Sequence, residues 1–186
     1  MARLAELLAT WAPKMNLSGH RSAEGIVRRL VLDALALEPL LPDAERIADL
    51  GSGAGFPGLP LAILRPGARV WLVEARERRH HFQRAAVRAL GLTNATPLRG
   101  RIEDLPPVHC QGVVAQALAK PRAAAELGLR WCAAGGWIAI PGHQEPPDPG
   151  SLPGIASAAV HRYAVPLGGP QRTLWLGRHG YGTPVE

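Results

Sequence analysis

Residues Asp49 to Gly58 read D-L-G-S-G-A-G-F-P-G, with glycines at every second position from 51 to 55. The apolar pair Ile47-Ala48 precedes this segment and the apolar run Leu59 to Leu64 follows it, so a strand, a tight turn and a helix are expected. The alternating glycines leave backbone N–H groups uncovered at a helix N-terminus, where a ligand can come close without meeting a Cβ. Pro57 suits the first helical turn, where its missing N–H costs nothing. The next apolar run, Val70 to Val73, ends on Glu74. That is about 20 residues beyond the glycines, where a carboxylate can accept hydrogen bonds from both hydroxyls of a ribose.

Outward from this unit, strands and helices alternate. Strands are expected at Arg46–Leu50, Arg69–Glu74, near Thr96–Leu98, at Gly112–Gln116 and at Gly136–Ile140. Helices are expected after the glycine turn to about Leu64, from Glu77 to Leu90 with Gly91 as the stop, and from Pro121 to Trp131. Before them, Leu4, Leu7, Leu8 and Trp11 recur at helical spacing up to Pro13, and a second helix runs from Ala23 to Leu37 behind the N-cap Ser22. The segment Pro141 to Gly154 is rich in proline and glycine and reads as an irregular surface excursion. Ser157–Val165 and Arg172–Arg178 alternate apolar and polar residues and form an antiparallel pair. The pattern predicts an α/β fold: a three-layer, Rossmann-like, mostly parallel sheet of about seven strands closed by a C-terminal hairpin. Residues 1–186 make one domain, with a helical part at 1–45 and the sheet and hairpin at 46–186.

Hydrophobic residues make up 47% of the chain and charged residues 19%, which argues against disorder. No apolar run approaches the ~20 residues of a membrane span. The first residues make a poor signal peptide, since Glu6 interrupts their apolar pattern, and a cytoplasmic location is expected. Cys110 and Cys132 share no metal-like spacing, so reduced thiols and no metal are expected. The net charge of +6 suggests an anionic partner, nucleic acid first. Because 19 of the 21 basic residues are Arg, a coding bias explains the charge about as well. Local clusters say more: Arg28-Arg29, and Arg76 through Arg79 with His80-His81. The second opens a helix, where basic groups oppose the dipole, so it faces an anion or, more simply, solvent.

The ligand of the glycine turn has three readings. Gly53-x-Gly55-x-x-Gly58 satisfies the dinucleotide fingerprint, and a purely structural turn needs no ligand at all. Asp49 favours the third. A carboxylate two residues before Gly51 would repel a pyrophosphate but suits the cationic amino-acid end of S-adenosylmethionine.

Together these motifs resemble the bacterial small-subunit ribosomal RNA guanine-N7 methyltransferases, also called the glucose-inhibited division protein B family. The similarity runs from Trp11 nearly to Arg178 and includes Trp11-x-x-x-x-Asn16-Leu17-Ser18 with Arg21, the run Val27 to Leu37 with Arg29 and Asp33, and Asp49 to Ile63. Within the last, G-F-P-G-L-P-L-A is far more specific than the glycine fingerprint. The resemblance implies a class I methyltransferase sheet with S-adenosyl-L-methionine as cofactor. Asp49, Gly51, Ser52, Gly53, Gly55, Phe56 and Glu74 would hold its methionine and ribose side, and Ile102, Glu103 and Gln116 complete the cofactor set. Asn16, Arg21, Arg29, Arg101 and Arg172 would bind RNA. The implied partner is small-subunit ribosomal RNA or the ribosomal subunit, the protein acting as a monomer away from membranes. No residue is assigned as catalytic.

The chain departs from the family pattern at Leu30 and Ala34, where His and Ser are usual, at Gln116 in place of Arg, and at Pro141 in place of Lys. The last two remove positive charge from the rim of the expected cleft. An S-adenosylmethionine-binding paralogue with a lost or changed target is therefore the alternative. A nicotinamide-dependent oxidoreductase is disfavoured by Asp49.

Overall fold

Leu4, Ala5 and Leu8 form the buried stripe of α1 (Ala2–Trp11), the first element of the computed structural model, which describes residues 1–12, 22–142 and 152–181. Asn16, Arg21 and most of the Pro-rich segment lie outside the described residues. The helix expected over Ala23 to Leu37 is broken into α2 (Ala23–Ile26), a π-helical turn over Val27–Val31 and α3 (Leu32–Leu37), followed by a 3₁₀ turn at Glu38–Leu40. The N–H of Leu32 reaches back to the carbonyl of Val27, one residue further than an α-helix allows. That extra residue brings Ile26 and Val31, five apart, onto the same buried side.

The alternating part follows as β1 (Arg46–Leu50), α4 (Gly58–Leu64), β2 (Arg69–Glu74), α5 (Glu77–Leu90), β3 (Ala95–Arg99), β4 (Cys110–Val114), α6 (Pro121–Trp131), β5 (Cys132–Gly142), β6 (Ile155–Ala164) and β7 (Gln171–His179). They build a seven-stranded sheet in the order β3-β2-β1-β4-β5-β7-β6. Strands β1 to β5 pair in parallel, and β7 runs antiparallel between β5 and β6. Gly91 ends α5 in the left-handed region at φ 65°, where glycine carries no steric penalty. Helix α4 starts one residue later than expected, with Pro57 as its N-cap and a cis Phe56–Pro57 bond before it.

The strands that depart furthest from the expected bounds are β4 and β5. β4 spans Cys110–Val114, which puts Gln116 beyond its end. β5 begins at Cys132, four residues early, because the pairing with β4 jumps from Cys110↔Cys132 to Gly112↔Trp137 and the extra backbone is absorbed around Gly135, at φ 75°. At the other end β5 continues through Pro141, which is buried. Its missing N–H is tolerated there because β4 pairs with β5 only as far as Ala139.

The pleat of β1 separates the two faces. Ile47 points into a cluster with Leu4, Leu8, Leu59, Leu72 and Phe82, on the side of α1 to α5. Ala48 and Leu50 point into the opposite cluster with Val113, Ala125, Trp131, Ile138 and Trp175, covered by α6. Trp11 stacks edge-on against Phe82 at 5.9 Å between ring centres and fastens α1 onto α5. The parallel strands end together, and ligands of such sheets bind beyond those carboxyl ends.

Candidate active site

The glycine turn after β1 is shaped by its own backbone. Gly51, Gly53 and Gly55 all have positive φ, at 68°, 58° and 81°. The N–H groups of Gly55 and Phe56 both donate to the carbonyl of Ser52, at 2.7 and 3.0 Å, while the Ser52 N–H donates to Val73 of β2 at 3.0 Å. At Gly58 a Cβ would meet the side chain of Leu72 and come within 2.7 Å of Asp49 Oδ2, so only glycine lets α4 start this close to β1. Gly53 is the opposite case. The atom nearest to a Cβ there would be Arg79 Nη1 at 3.7 Å, an ordinary contact distance, so it is the positive φ rather than crowding that calls for glycine.

Asp49 and Glu74 end the adjacent strands β1 and β2, and both are buried. Asp49 Oδ2 accepts from the N–H of Gly58 at 2.8 Å, whereas Oδ1 is buried without a partner among the described residues. Burial pushes the Asp49 carboxyl up to about 7, against the hydrogen bond from Gly58 and with a smaller contribution from the Glu74 charge. Glu74 Oε1 accepts from the N–H of Arg76 at 2.7 Å, and Oε2 lies 3.9 Å from Arg79 Nη1.

Gln83, which the motifs did not single out, braces the turn from α5. It is fully buried, and its Nε2 donates to Ser52 Oγ and to the carbonyl of Gly53, each at 2.8 Å. A sequence signal existed: Gln83 is the polar member of the apolar stripe Phe82–Ala86–Leu90. Leu118, also not anticipated, lies over Gly51 where a Cβ would strike it. Phe56 is half-buried and packs against the core beneath the turn.

Across the cleft, α6 holds the segment after β3. Trp131 Nε1 donates to the carbonyl of Ile102 at 3.3 Å and Arg130 to that of Glu103 at 3.1 Å. The Ile102 side chain is buried in the α6-side core, while Glu103 and Arg101 are exposed and 4.0 Å apart. On the hairpin side Asp33 of α3 is a buried hub. It accepts from Tyr163 of β6 at 3.0 Å and from Gln116 at 3.2 Å, and pairs with Arg172 of β7 at 3.2 Å. Burial, then the Asp33 charge, pushes the Tyr163 phenol above its ordinary range. Gln116 and Arg172 are thus joined through one carboxylate, and Asp33, which as a helix residue could have been a surface charge, is 4% exposed. Arg29 stands apart from this hub on the exposed side of the π-helical turn.

The class follows from the sheet order, the glycine turn after β1 and the acid that ends β2: this is the class I methyltransferase fold. Solved structures share it. A predicted O-methyltransferase from Agrobacterium tumefaciens superposes with a TM-score of 0.63 at 20% identity, over 80% of this chain and 81% of that one. An S-adenosylmethionine-dependent methyltransferase from Aquifex aeolicus does so at 0.59 and 18% identity, over 83% and 92%. The model of the rRNA small subunit methyltransferase G family (GidB) matches residues 1–147. Ribosomal RNA small subunit methyltransferase G of Azoarcus sp. (strain BH72) is 38% identical over 164 residues, 87% of this chain and 77% of that protein. Its counterpart in Aeromonas salmonicida is 34% identical over 173 residues, 89% and 81% of the two chains. The chain belongs to the rRNA small subunit methyltransferase G family.

Proposed function

We propose that this protein is an S-adenosylmethionine-dependent methyltransferase acting on a guanine N7 of small-subunit ribosomal RNA. The observation that carries this reading is the pairing of a positive-φ glycine turn with the buried, half-partnered carboxylate of Asp49 in a chain of this family. An orphaned carboxyl oxygen at the floor of the turn fits a cationic group, which would favour its ionised form, whereas that form would repel a pyrophosphate. When bound, S-adenosylmethionine supplies an electrophilic methyl group. Asp49 and the turn from Gly51 to Gly55 would hold its amino-acid end, Glu74 its ribose hydroxyls, and the Ile102–Glu103 segment its adenine side.

The target explains why the cleft needs no general base. Guanine N7 presents a lone pair on the major-groove edge, so no side chain has to remove a proton before transfer. The chain's contribution is to orient the two partners in line and keep water away. Leu118 and Phe56 supply apolar surface beside the turn. In this reading residues 1–186 act as one domain on the cytoplasmic ribosomal subunit. No helix among the described residues is long and apolar enough to cross a membrane.

The test is transfer of a labelled methyl group to undermodified small subunits, run beside free ribosomal RNA. Gly53→Val, which puts a β-branched side chain on a positive-φ position of the turn, should abolish both transfer and the rise in melting temperature produced by S-adenosylhomocysteine. Stabilisation by a dinucleotide and none by an S-adenosyl ligand at millimolar concentration would overturn the reading.

A further inference from the structure

The positive charge of this chain is not spread over it. Residues 75–102 hold seven arginines against one acid, Glu77, while the rest of the chain holds fourteen basic and fourteen acidic residues. The whole excess of +6 therefore sits on α5, β3 and the turn after it, at the β3 edge of the sheet. A compositional preference for Arg over Lys does not produce such an imbalance in one segment.

Within the segment most of the charges share a face. Phe82, Gln83 and Ala86 turn α5 inward, which leaves Arg84 and Arg88 exposed at a four-residue spacing, with Arg78 exposed on the flank of the helix, about 120° round from Arg84. Arg99 reaches the same place from β3, since it pairs with Glu77 of α5 at 3.1 Å. The half-buried His80 lies between them: burial holds it below the ordinary imidazole range, and Arg84, His81 and Arg99 lower it further. Arg78, Arg84 and Arg88 have no acidic partner within ion-pair distance among the described residues. From Arg78 to Arg88 the helix rises ~15 Å, about four phosphate steps along one strand. The same helix begins at the glycine turn, where Arg79 lies near Gly53 and Glu74.

We propose that the exposed face of α5, with Arg78, Arg84, Arg88 and Arg99, is an RNA-docking surface that grips the phosphate backbone beside the target nucleotide and leads it to the cleft. The inference deepens the ribosomal RNA reading and rests on it. Guanidinium groups match phosphate oxygens in pairs, and exposed ones at helical spacing give contacts that carry no base preference. An anionic membrane is the poorer match, because α5 has its apolar stripe turned into the core and leaves no apolar face to insert.

Arg84→Ala/Arg88→Ala in the full chain tests this, since both side chains are exposed and away from the turn. Folding is monitored by melting temperature and S-adenosylhomocysteine affinity, both expected at wild-type values. The KM for undermodified subunits should rise at least tenfold. The log–log salt slope of binding to a single-stranded ribosomal RNA fragment should fall by about 1.4 for two lost contacts. Arg84→Lys/Arg88→Lys, which keeps the charge but not the paired contacts, should restore the salt slope and only part of the affinity. Unchanged KM and slope in a wild type that methylates subunits would overturn the docking surface and leave the enzymatic reading intact. A wild type that binds RNA through these arginines but transfers no methyl group would overturn the enzymatic reading and keep the surface. Loss of binding to phosphatidylglycerol vesicles with RNA binding intact would reassign the face to a membrane and overturn the proposal.

Discussion

At the scale of single residues, the two carboxylates beside the glycine turn have separable signatures. Asp49 holds its proton up to about pH 7 in the folded protein, well above the ordinary aspartate range near 3.8. Between these values the folded state keeps a proton that the unfolded state has released. The contribution of Asp49 to stability is therefore fully present below about pH 4 and is lost as pH rises through about 7. Asp49→Asn should flatten that slope, read as melting temperature between pH 5 and 8 without ligand. If the carboxylate faces the cationic end of the cofactor, wild-type affinity should instead climb as pH passes 7, and Asp49→Asn should lose the climb. Glu74→Ala, by contrast, should weaken S-adenosylhomocysteine binding by about 1.5–3 kcal/mol in calorimetry, the range for hydrogen bonds to a charged group. Unchanged affinity in a folded Glu74→Ala protein would leave the carboxylate only its contacts with Arg76 and Arg79.

At the scale of elements, α5 both braces the turn and carries the basic face. Gln83→Leu keeps the volume of the stripe but strips Ser52 Oγ and the Gly53 carbonyl of their amide donor. Cofactor affinity should drop by about 1–2 kcal/mol, the worth of one or two such bonds. Equal affinity by calorimetry would show that the backbone bonds within the turn suffice. What could be read ahead of the structure divides along the same lines. The bounds of β1, β2, α5 and α6 were legible because glycine, proline and caps mark their ends and each has one clean period. The π-helical turn was not, since an apolar pattern dense enough to include Leu30, Val31 and Leu32 does not reveal which residues are buried. The glycine turn and its two acids were visible as a motif. The Asp33 hub was not, because Gln116 and Tyr163 lie 83 and 130 residues away and only the folded sheet brings them together.

Over the whole molecule, that hub joins the N-terminal helices to the last hairpin. Asp33→Ala would leave the Arg172 guanidinium, already carrying a buried and unpartnered Nε, without its counter-charge. Losing one partner of a buried pair costs about 3–5 kcal/mol. The denaturation midpoint should fall accordingly, and amide exchange should accelerate in β6 and β7 well before β1 to β4. Uniform acceleration across the sheet would mean that the hairpin is not anchored separately. The distribution of charge belongs to this scale too. The net +6 of the composition was ambiguous, and only its collection on one edge of the sheet gives it direction.

The position of β7 between β5 and β6 has a consequence during synthesis. β6 leaves the ribosome before β7 yet, among the described residues, pairs with no other strand, so it waits for β7 to emerge and fill the gap. Until then β5 presents an open edge and Asp33 lacks Arg172. The glycine turn and its two acids lie far upstream, so that part of the sheet can assemble early in translation. The hairpin closes last. A nascent chain of this protein is thus able to order its glycine turn while the strand that completes the sheet is still being made.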